Sequence, residues 1–345
     1  MSHRARSTAQ PKAYCNVLAK DLGLDAAGYA TTFETAVFIE TPLPWREDLY
    51  QQEGAFPDEV VALWQRWVEQ YLAGVPLPAL VLAIAPDAEY SHEEHRRVIF
   101  ANRTDGPISR FDKVEYLVPS DQAGPLIWTW FEQPDTLHEF ADFLEPVSTP
   151  DGRIIRDLLV CTHGTVEIAC AKFGYPLYKR LRDEHAAPGL RVWRVSHFGE
   201  HVFAPTMLDM PRGHSWAYVD PDTADQIASQ DGDVQDLYWH YRGWAGLEAG
   251  FPQAAERAMW QREGWDWFEF PKQCTVLDSG PDDANPQWMS LRVDFTRSDG
   301  RAESYLARVE VEREIETVPT TDYPESMVYR QYRVSDLVHG TDLGT

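Results

Sequence analysis

The chain has 345 residues, of which 43% are hydrophobic, and its formal net charge at pH 7 is −24. This length is enough to bury a substantial core in two or three domains, and no apolar run approaches the roughly 20 residues needed to span a bilayer. The acidic balance argues against nucleic-acid binding, which requires clustered Lys and Arg, and favours a basic or small partner.

Cysteine usage and the N-terminus indicate the compartment. The chain has only four cysteines, at positions 15, 161, 170 and 274, which is too few for the dense framework of a disulfide-stapled secreted protein. The first twenty residues are basic and lack the apolar core of a secretory signal, so we expect a frayed basic N-terminus rather than a targeting segment. A reducing, cytoplasmic location is therefore favoured.

Residues 1–150 predict a first α/β unit. The segment TTFETAVFIETP is strand-like, and PDEVVALWQRWVEQYLAG has the apolar spacing of three and four that is typical of an amphipathic helix. A buried strand and a meander of three more strands are predicted next, in ALVLAIAP, RRVIFANR, KVEYLVP and LIWTWFEQP. A polar stretch rich in Pro and Gly, residues 145–153, marks the boundary.

Residues 151–235 repeat the α/β pattern more regularly. RDLLVCTHG predicts a strand ending at a cysteine, AKFGYPLYKRLRDEH a helix, and LRVWRVSH a strand ending at a histidine. Two further strands and a helix follow, in FAPTMLDMP, HSWAYV and DPDTADQIASQ. A helix joining two parallel strands brings their carboxyl ends to one edge of the sheet, where α/β folds usually place their sites.

Residues 236–345 predict a helix, a hairpin and a tail. GWAGLEAGFPQAAERAMWQREG suggests a loop and a helix, and SLRVDFTRSDGRAESYLARVEVER predicts a hairpin that turns at Asp299-Gly300. The segment after about residue 315 is rich in Thr, Pro and Asp, and we expect it to run over the surface.

Cys161, Cys170, His197 and His201 form a candidate four-ligand set. Neither pair is specific alone, because free cysteines are often buried and Gly199 favours a loop over a helix between the histidines. Their placement at the ends of neighbouring strands strengthens the interpretation. Two thiolates with two imidazoles suit only a few ions or clusters.

Three chemical interpretations of these four residues are compatible with the sequence. Zinc is the first, although structural fingers space their cysteines roughly two to four residues apart rather than eight. A redox-active disulfide is the second, although that chemistry normally uses Cys-x-x-Cys at a helix start. A binuclear iron-sulfur cluster, with thiolates on one iron and imidazoles on the other, fits the spacing better.

The segments VCTHGTVEIACAKFGYPLYKRLR and VWRVSHFGEHVFAPTMLDMPRG closely resemble the sucrase/ferredoxin-like family, which includes thioredoxin-like ferredoxins. The resemblance is specific over 157–220 and looser in TAVFIETPLPW and YRGWAGLEAGFPQAAERA. It implies a thioredoxin-like ferredoxin domain at 151–235, preceded by a degenerate α/β domain that is itself a candidate thioredoxin-like unit, and completed by the C-terminal hairpin and tail. It also implies a 2Fe-2S cluster whose iron is held by Cys161, Cys170, His197 and His201.

The chain departs from the family pattern at two positions. Glu200 replaces the second glycine of the family's His-x-Gly-Gly-His pair; it could accept a hydrogen bond from an imidazole, but solvent exposure is the commoner fate of Glu. Ala169 stands where the family often has another cysteine, which leaves Cys170 as the partner of Cys161.

Four further residues carry expectations. His163 could hydrogen-bond a sulfur or act as a ligand, but we expect a capping or solvent role. Pro205 lies where thioredoxin-like folds have a cis proline, so a cis bond is predicted. Cys15 and Cys274 lack ligand spacing and are expected to be structural.

The resulting hypothesis is an electron carrier rather than an enzyme. Replacing two thiolates by neutral imidazoles raises a cluster's potential, roughly to the −150 to +300 mV range of Rieske centres against about −400 mV for plant-type ferredoxins. A second imidazole nitrogen facing water would couple reduction to proton uptake. We expect a reductase or acceptor with a basic docking face as partner, and neither nucleic acid nor a membrane span.

Overall fold

The computed structural model describes residues 13–282, 284–322 and 325–340. Its helices and strands, in chain order, are α1 (Cys15–Asp21), β1 (Thr35–Glu40), α2 (Asp58–Leu72), β2 (Leu80–Ile84), β3 (His95–Asn102), β4 (Asp112–Pro119), α3 (Ala123–Glu132), β5 (Arg156–Cys161), α4 (Ile168–Glu184), β6 (Leu190–Val195), β7 (Met207–Met210), β8 (His214–Trp216), α5 (Pro221–Ser229), β9 (Tyr241–Trp244), α6 (Phe251–Glu263), β10 (Lys272–Gly280), β11 (Trp288–Thr296), β12 (Ala302–Thr317) and β13 (Met327–His339). The mixed α/β class predicted from the sequence is confirmed.

The first nine strands form one mixed sheet, in the order β4-β3-β1-β2-β6-β5-β7-β8-β9. Its two halves meet where β2 and β6 pair antiparallel through Ile84 and Val195. The predicted boundary at residues 145–153 falls in the connection before β5, but the sheet continues across both units. A separate antiparallel sheet, β10-β11-β12-β13, follows.

Alternating side chains of this sheet build a core shared by its two halves. Phe38, Leu82 and Ile99 from the first half lie in the same buried cluster as Leu159 and Trp193 from the second. The intervening residues point the other way, towards α2 and α3 in the first half and towards α4, α5 and α6 in the second. Because successive strand residues face opposite sides, each strand contributes to both layers.

A network of buried charges also joins the two halves. Arg191 on β6 donates to both carboxylate oxygens of Glu115 on β4, at 2.8 and 2.7 Å, and to Asp157 on β5 at 2.8 Å. Lys113 on β4 donates to the same Asp157. Burial alone would raise the pKa of Asp157, but the charges of Arg191 and Lys113 hold it well below its ordinary value. The network therefore stays ionised and paired.

Most of the predicted elements are confirmed, including the strand–helix–strand unit of β5, α4 and β6 and the hairpin of β11 and β12. LIWTWFEQP is an exception, because it lies in helix α3 and not in a strand. A short apolar run is ambiguous by periodicity, and here Ala123, Leu126 and Ile127 bury one helical face in the same cluster as α2.

The two chain ends also differ from expectation. Instead of a surface tail, residues 327–339 form strand β13, which pairs with β12 along its length. At the other end, residues 15–21 form α1, while the rest of the expected basic N-terminus, residues 1–12, lies outside the described residues. Among the described residues, no helix has both the length and the apolar character needed to cross a membrane.

Gly174 allows α4 to lie directly on the end of β5. A Cβ added there would lie 2.0 Å from the Cys161 carbonyl oxygen, which is backbone and cannot move away cheaply. We predict that Gly174→Ala forces α4 off the sheet and destabilises the fold by about 3 kcal/mol. Urea unfolding would measure this, with Lys179→Ala on the exposed face of the same helix as control. Equal midpoints for the two variants would contradict the prediction.

Candidate metal centre

The pairing of β5 with β6 places one ligand from each pair at the same sheet edge. The strands are parallel, and Cys161, the last residue of β5, lies level with Val195, the last residue of β6. His197 follows two residues later. The sequence predicted that the first cysteine and the first histidine follow the carboxyl ends of two neighbouring parallel strands, and this prediction is confirmed.

The first turn of α4 supplies Cys170. Glu167 is the N-cap of this helix, and its carboxylate accepts a hydrogen bond from the Ala169 amide at 3.0 Å. Such a cap fixes where the helix begins and hence which side chains its first turn presents. Cys170 consequently faces back towards the end of β5.

Three of the four predicted ligand residues come together, and the fourth, His201, lies beside His197. One ligand atom each of Cys161, Cys170 and His197 lie within 4.8 Å of one another. The His201 ring lies 4.9 Å from the His197 ring, measured between centroids. Both cysteines are free thiols and only 1% exposed.

The electrostatics of the site favour a bound cation. A hydrogen bond from the Cys170 thiol lowers the pKa of Cys161 well below its ordinary value despite burial, and His197 acts in the same direction. That same hydrogen bond, together with burial, raises the pKa of Cys170. Burial lowers the pKa of His201, and the neighbouring His197 lowers it further. The cysteine pair thus holds one thiolate, on Cys161, and the neutral form of His201 is favoured.

The donor set passes a test of fit to a metal group. The Nδ1 atoms of His197 and His201 are both buried without a hydrogen-bond partner among the described residues. Buried polar atoms are normally satisfied, and an unpaired one calls for an explanation such as an ion. Two unpartnered imidazole nitrogens beside two free thiols are the donors that zinc or an iron-sulfur cluster would take.

A left-handed turn returns the chain to the site between the two histidines. Gly199 has φ +104° and Glu200 has φ +52°. A Cβ at Gly199 would also lie 3.0 Å from the Thr31 hydroxyl oxygen, so glycine suits both the backbone and the space. The Ala204-Pro205 bond that follows is cis, as predicted.

His163 positions the loop that carries His197. It is 4% exposed rather than solvated, and its Nδ1 accepts a hydrogen bond from the His197 backbone amide at 3.3 Å. The Nε2–H then donates to the Arg46 carbonyl at 2.9 Å. The neighbouring Thr165 hydroxyl donates to the Trp45 carbonyl at 2.9 Å, so the segment after β1 is tied to the loop between β5 and α4 that carries His163.

Glu200 differs from its expected solvent exposure. It is half-buried, and its negative charge raises the pKa of Tyr329 beyond the larger effect of burial and opposes the lowering that burial causes at Arg242. Glu200 therefore acts on Tyr329 and Arg242 through its charge. Its tolerance of a left-handed backbone is unusual for a residue other than glycine.

Sequence reasoning missed a cover over the site that is formed by α1 and the connection between β12 and β13. Thr321, in the connection between β12 and β13, donates its amide to Glu167 at 2.8 Å and its hydroxyl to the same carboxylate. It also accepts a hydrogen bond from the Cys15 amide at 3.2 Å. The Cys15 thiol in turn approaches the His201 carbonyl at 3.9 Å, and the backbone of Pro319 hydrogen-bonds the His201 ring.

No local pattern could have revealed this cover. Cys15 and Thr321 are 306 residues apart in sequence. The expectation that Cys15 is structural agrees with its burial, but it lies in the same buried cluster as Cys161 and Cys170. Cys274 is elsewhere, packed beside Trp244 and Leu247.

Comparison with known families identifies the chain. The family model described as sucrase/ferredoxin-like matches residues 26–243, which is more than half of the chain. The chain belongs to the sucrase/ferredoxin-like family. Neither the curated proteins nor the solved structures give a significant match. All four ligand candidates lie inside the part matched by the sucrase/ferredoxin-like family, whereas α1 and Thr321 lie outside it.

We predict that Thr321→Val weakens the cover, because the valine side chain can neither donate to Glu167 nor accept from the Cys15 amide and leaves only the backbone amide bond to Glu167. In the metal-free protein, alkylation of Cys15 and Cys170 by a maleimide should then be about tenfold faster, since loss of one to two net hydrogen bonds favours opening by that factor. Peptide mass spectrometry would locate the alkylated residues.

The control for this experiment is Ser326→Ala. Ser326 lies in the same connection, but its hydroxyl bonds the exposed Glu316. Unchanged alkylation rates in Thr321→Val would show that the cover does not protect the site.

Proposed function

We propose that this protein is a one-electron carrier that holds a 2Fe-2S cluster through Cys161, Cys170, His197 and His201. The observation that carries the proposal is the meeting of two free buried thiols with His197 at one sheet edge, with the His201 ring 4.9 Å from the His197 ring and the Nδ1 atoms of both histidines unpartnered among the described residues. Membership of the sucrase/ferredoxin-like family supports it, as does the order β6-β5-β7-β8 around α4, which suits a thioredoxin-like unit. The proposal includes no substrate turnover.

When bound, such a cluster accepts and releases single electrons at a potential raised by its neutral imidazole ligands. The chain's own residues hold the ligands in place. His163 fixes the amide of His197, Glu167 fixes the helix start that presents Cys170, and Thr321 fixes Glu167. Partners fixed in this way keep ligand orientation constant while charge changes.

Two alternatives use the same residues. A zinc ion would serve as a structural staple, since the donor set is complete for tetrahedral coordination. A Cys161–Cys170 disulfide would make the protein a thiol oxidoreductase, and the lowered pKa of Cys161 favours a reactive thiolate. Both alternatives predict a colourless protein, whereas the cluster predicts a red-brown one.

The decisive experiment is anaerobic purification followed by visible and EPR spectroscopy. We expect two irons per chain, visible absorption and a rhombic EPR signal on reduction, all lost in Cys161→Ser. Cys274→Ser should keep them, because Cys274 lies outside the site. A colourless protein containing one zinc per chain, or one whose only redox change is a Cys161–Cys170 disulfide, would refute the cluster.

We further propose that reduction is coupled to proton uptake at an imidazole ligand. Added negative charge raises the proton affinity of a neighbouring imidazole, so the reduced form should bind a proton more tightly than the oxidised form. The potential should therefore fall as pH rises, by up to about 59 mV per pH unit for one electron and one proton. A potentiometric titration that is flat from acidic to strongly alkaline pH would contradict the coupling.

The proposed partner is a cytoplasmic reductase or electron acceptor with a basic docking face. The net charge of −24 supports this choice, because complementary charge accelerates encounter between proteins.

A further inference from the structure

A buried guanidinium lies beneath the loop that carries the two histidines. Arg242, on β9, is 0% exposed, and its Nη2 donates to the Tyr29 carbonyl. Its guanidinium carbon is 5.4 Å from the centre of the Phe203 ring. Phe203 is two residues after His201, so the contact is directly with the ligand loop.

Two of the three guanidinium nitrogens of Arg242 lack a hydrogen-bond partner in the part of the chain that the structure describes. Its Nε and Nη1 atoms are buried without a hydrogen-bond partner among the described residues. Burial lowers its pKa to about 10, which still leaves it charged at neutral pH. A buried cation is costly unless negative charge lies nearby.

Glu200 lies in the same turn as Phe203, because the Phe203 amide donates to the Glu200 carbonyl at 3.0 Å. Of the groups that oppose the lowering of the Arg242 pKa by burial, Glu200 has the largest effect, followed by Tyr218 and then by Cys161 and Cys170. Glu200 precedes His201 and occupies the position where the family pattern has glycine. The chain thus places one acidic side chain in the loop that carries the two histidines and one basic side chain against it.

We propose that Arg242 and Glu200 are a compensating charge pair that sets how readily the adjacent site accepts negative charge. Arg242 favours added negative charge at the site, and Glu200 opposes it. As applied to electron transfer, this rests on the function proposed above. Neither side chain is a metal ligand, and both act through the electric field at the thiols and imidazoles.

Reduction potentials of four proteins test the pair: wild type, Glu200→Gln, Arg242→Met and the double variant. Reduction adds one negative charge, so Arg242→Met should lower the potential and Glu200→Gln should raise it. Each shift should be about tenfold in the ratio of reduced to oxidised protein, or about 59 mV. The double variant should fall between the two single variants, and Arg242→Lys should stay close to wild type.

The zinc affinity of the metal-free protein gives a second readout, which does not depend on whether the natural protein holds zinc or an iron-sulfur cluster. A cation should bind about tenfold more tightly to Arg242→Met and about tenfold more weakly to Glu200→Gln, measured by competition with a chromogenic chelator. Structural damage would weaken binding in both variants. If Arg242→Met does not fold, Glu200→Gln still tests the sign of the shift, and Arg242→Lys tests whether a positive charge at this position is sufficient.

The outcomes separate the two proposals. Suppose that the natural protein contains zinc, and that zinc binds more tightly to Arg242→Met and more weakly to Glu200→Gln, as predicted. This result would refute the electron carrier and support the charge pair. A cluster-loaded protein with unchanged or same-signed shifts in both single variants would support the carrier and overturn the charge pair.

Discussion

The structure depends on the buried inner face that the two halves of the nine-stranded sheet share. Each strand of the two halves alternates between this face and an outer, helix-covered face, so a register shift of one residue would exchange the two layers. Cys161 is the last inner-facing residue of β5, and it lies in the same cluster as Phe38 and Ile84 of the first half. The candidate metal centre is thus an extension of the shared core, and its thiols are buried because the halves meet there.

The same arrangement explains the charges inside the molecule. Where β4 approaches β5 and β6, the contact is made by Lys113, Glu115, Asp157 and Arg191 instead of apolar side chains. Replacing such a network by apolar residues can be neutral or stabilising, whereas removing one member leaves an unpaired buried charge. Its geometric consequence is specificity, because the pairs form only when both halves are in register.

The sequence revealed elements whose signals are local. The helix at α2, the β5–α4–β6 unit and the hairpin of β11 and β12 each have a clear period or turn, and the four ligand candidates follow from strand ends and family motifs. LIWTWFEQP has no such period, so its helical state depends on burial against α2. The roles of His163 and Glu200 depend on Arg46, Tyr329 and Arg242, which are distant in sequence. The cover formed by Cys15 and Thr321 depends on the whole chain being folded.

Protection of the ligands and access for a partner protein make opposite demands on the candidate site, and the structure allows them on different sides of it. Stable ligation requires exclusion of water and competing thiols, which α1 and Thr321 provide on the side of Cys170 and His201. The proposed electron exchange would require that another protein approach closely. His197 and His201 are both half-buried, but the hydrogen bonds of the cover involve His201 and Glu167 and not His197. Under the proposed function, approach on the His197 side would therefore leave the hydrogen bonds of the cover intact.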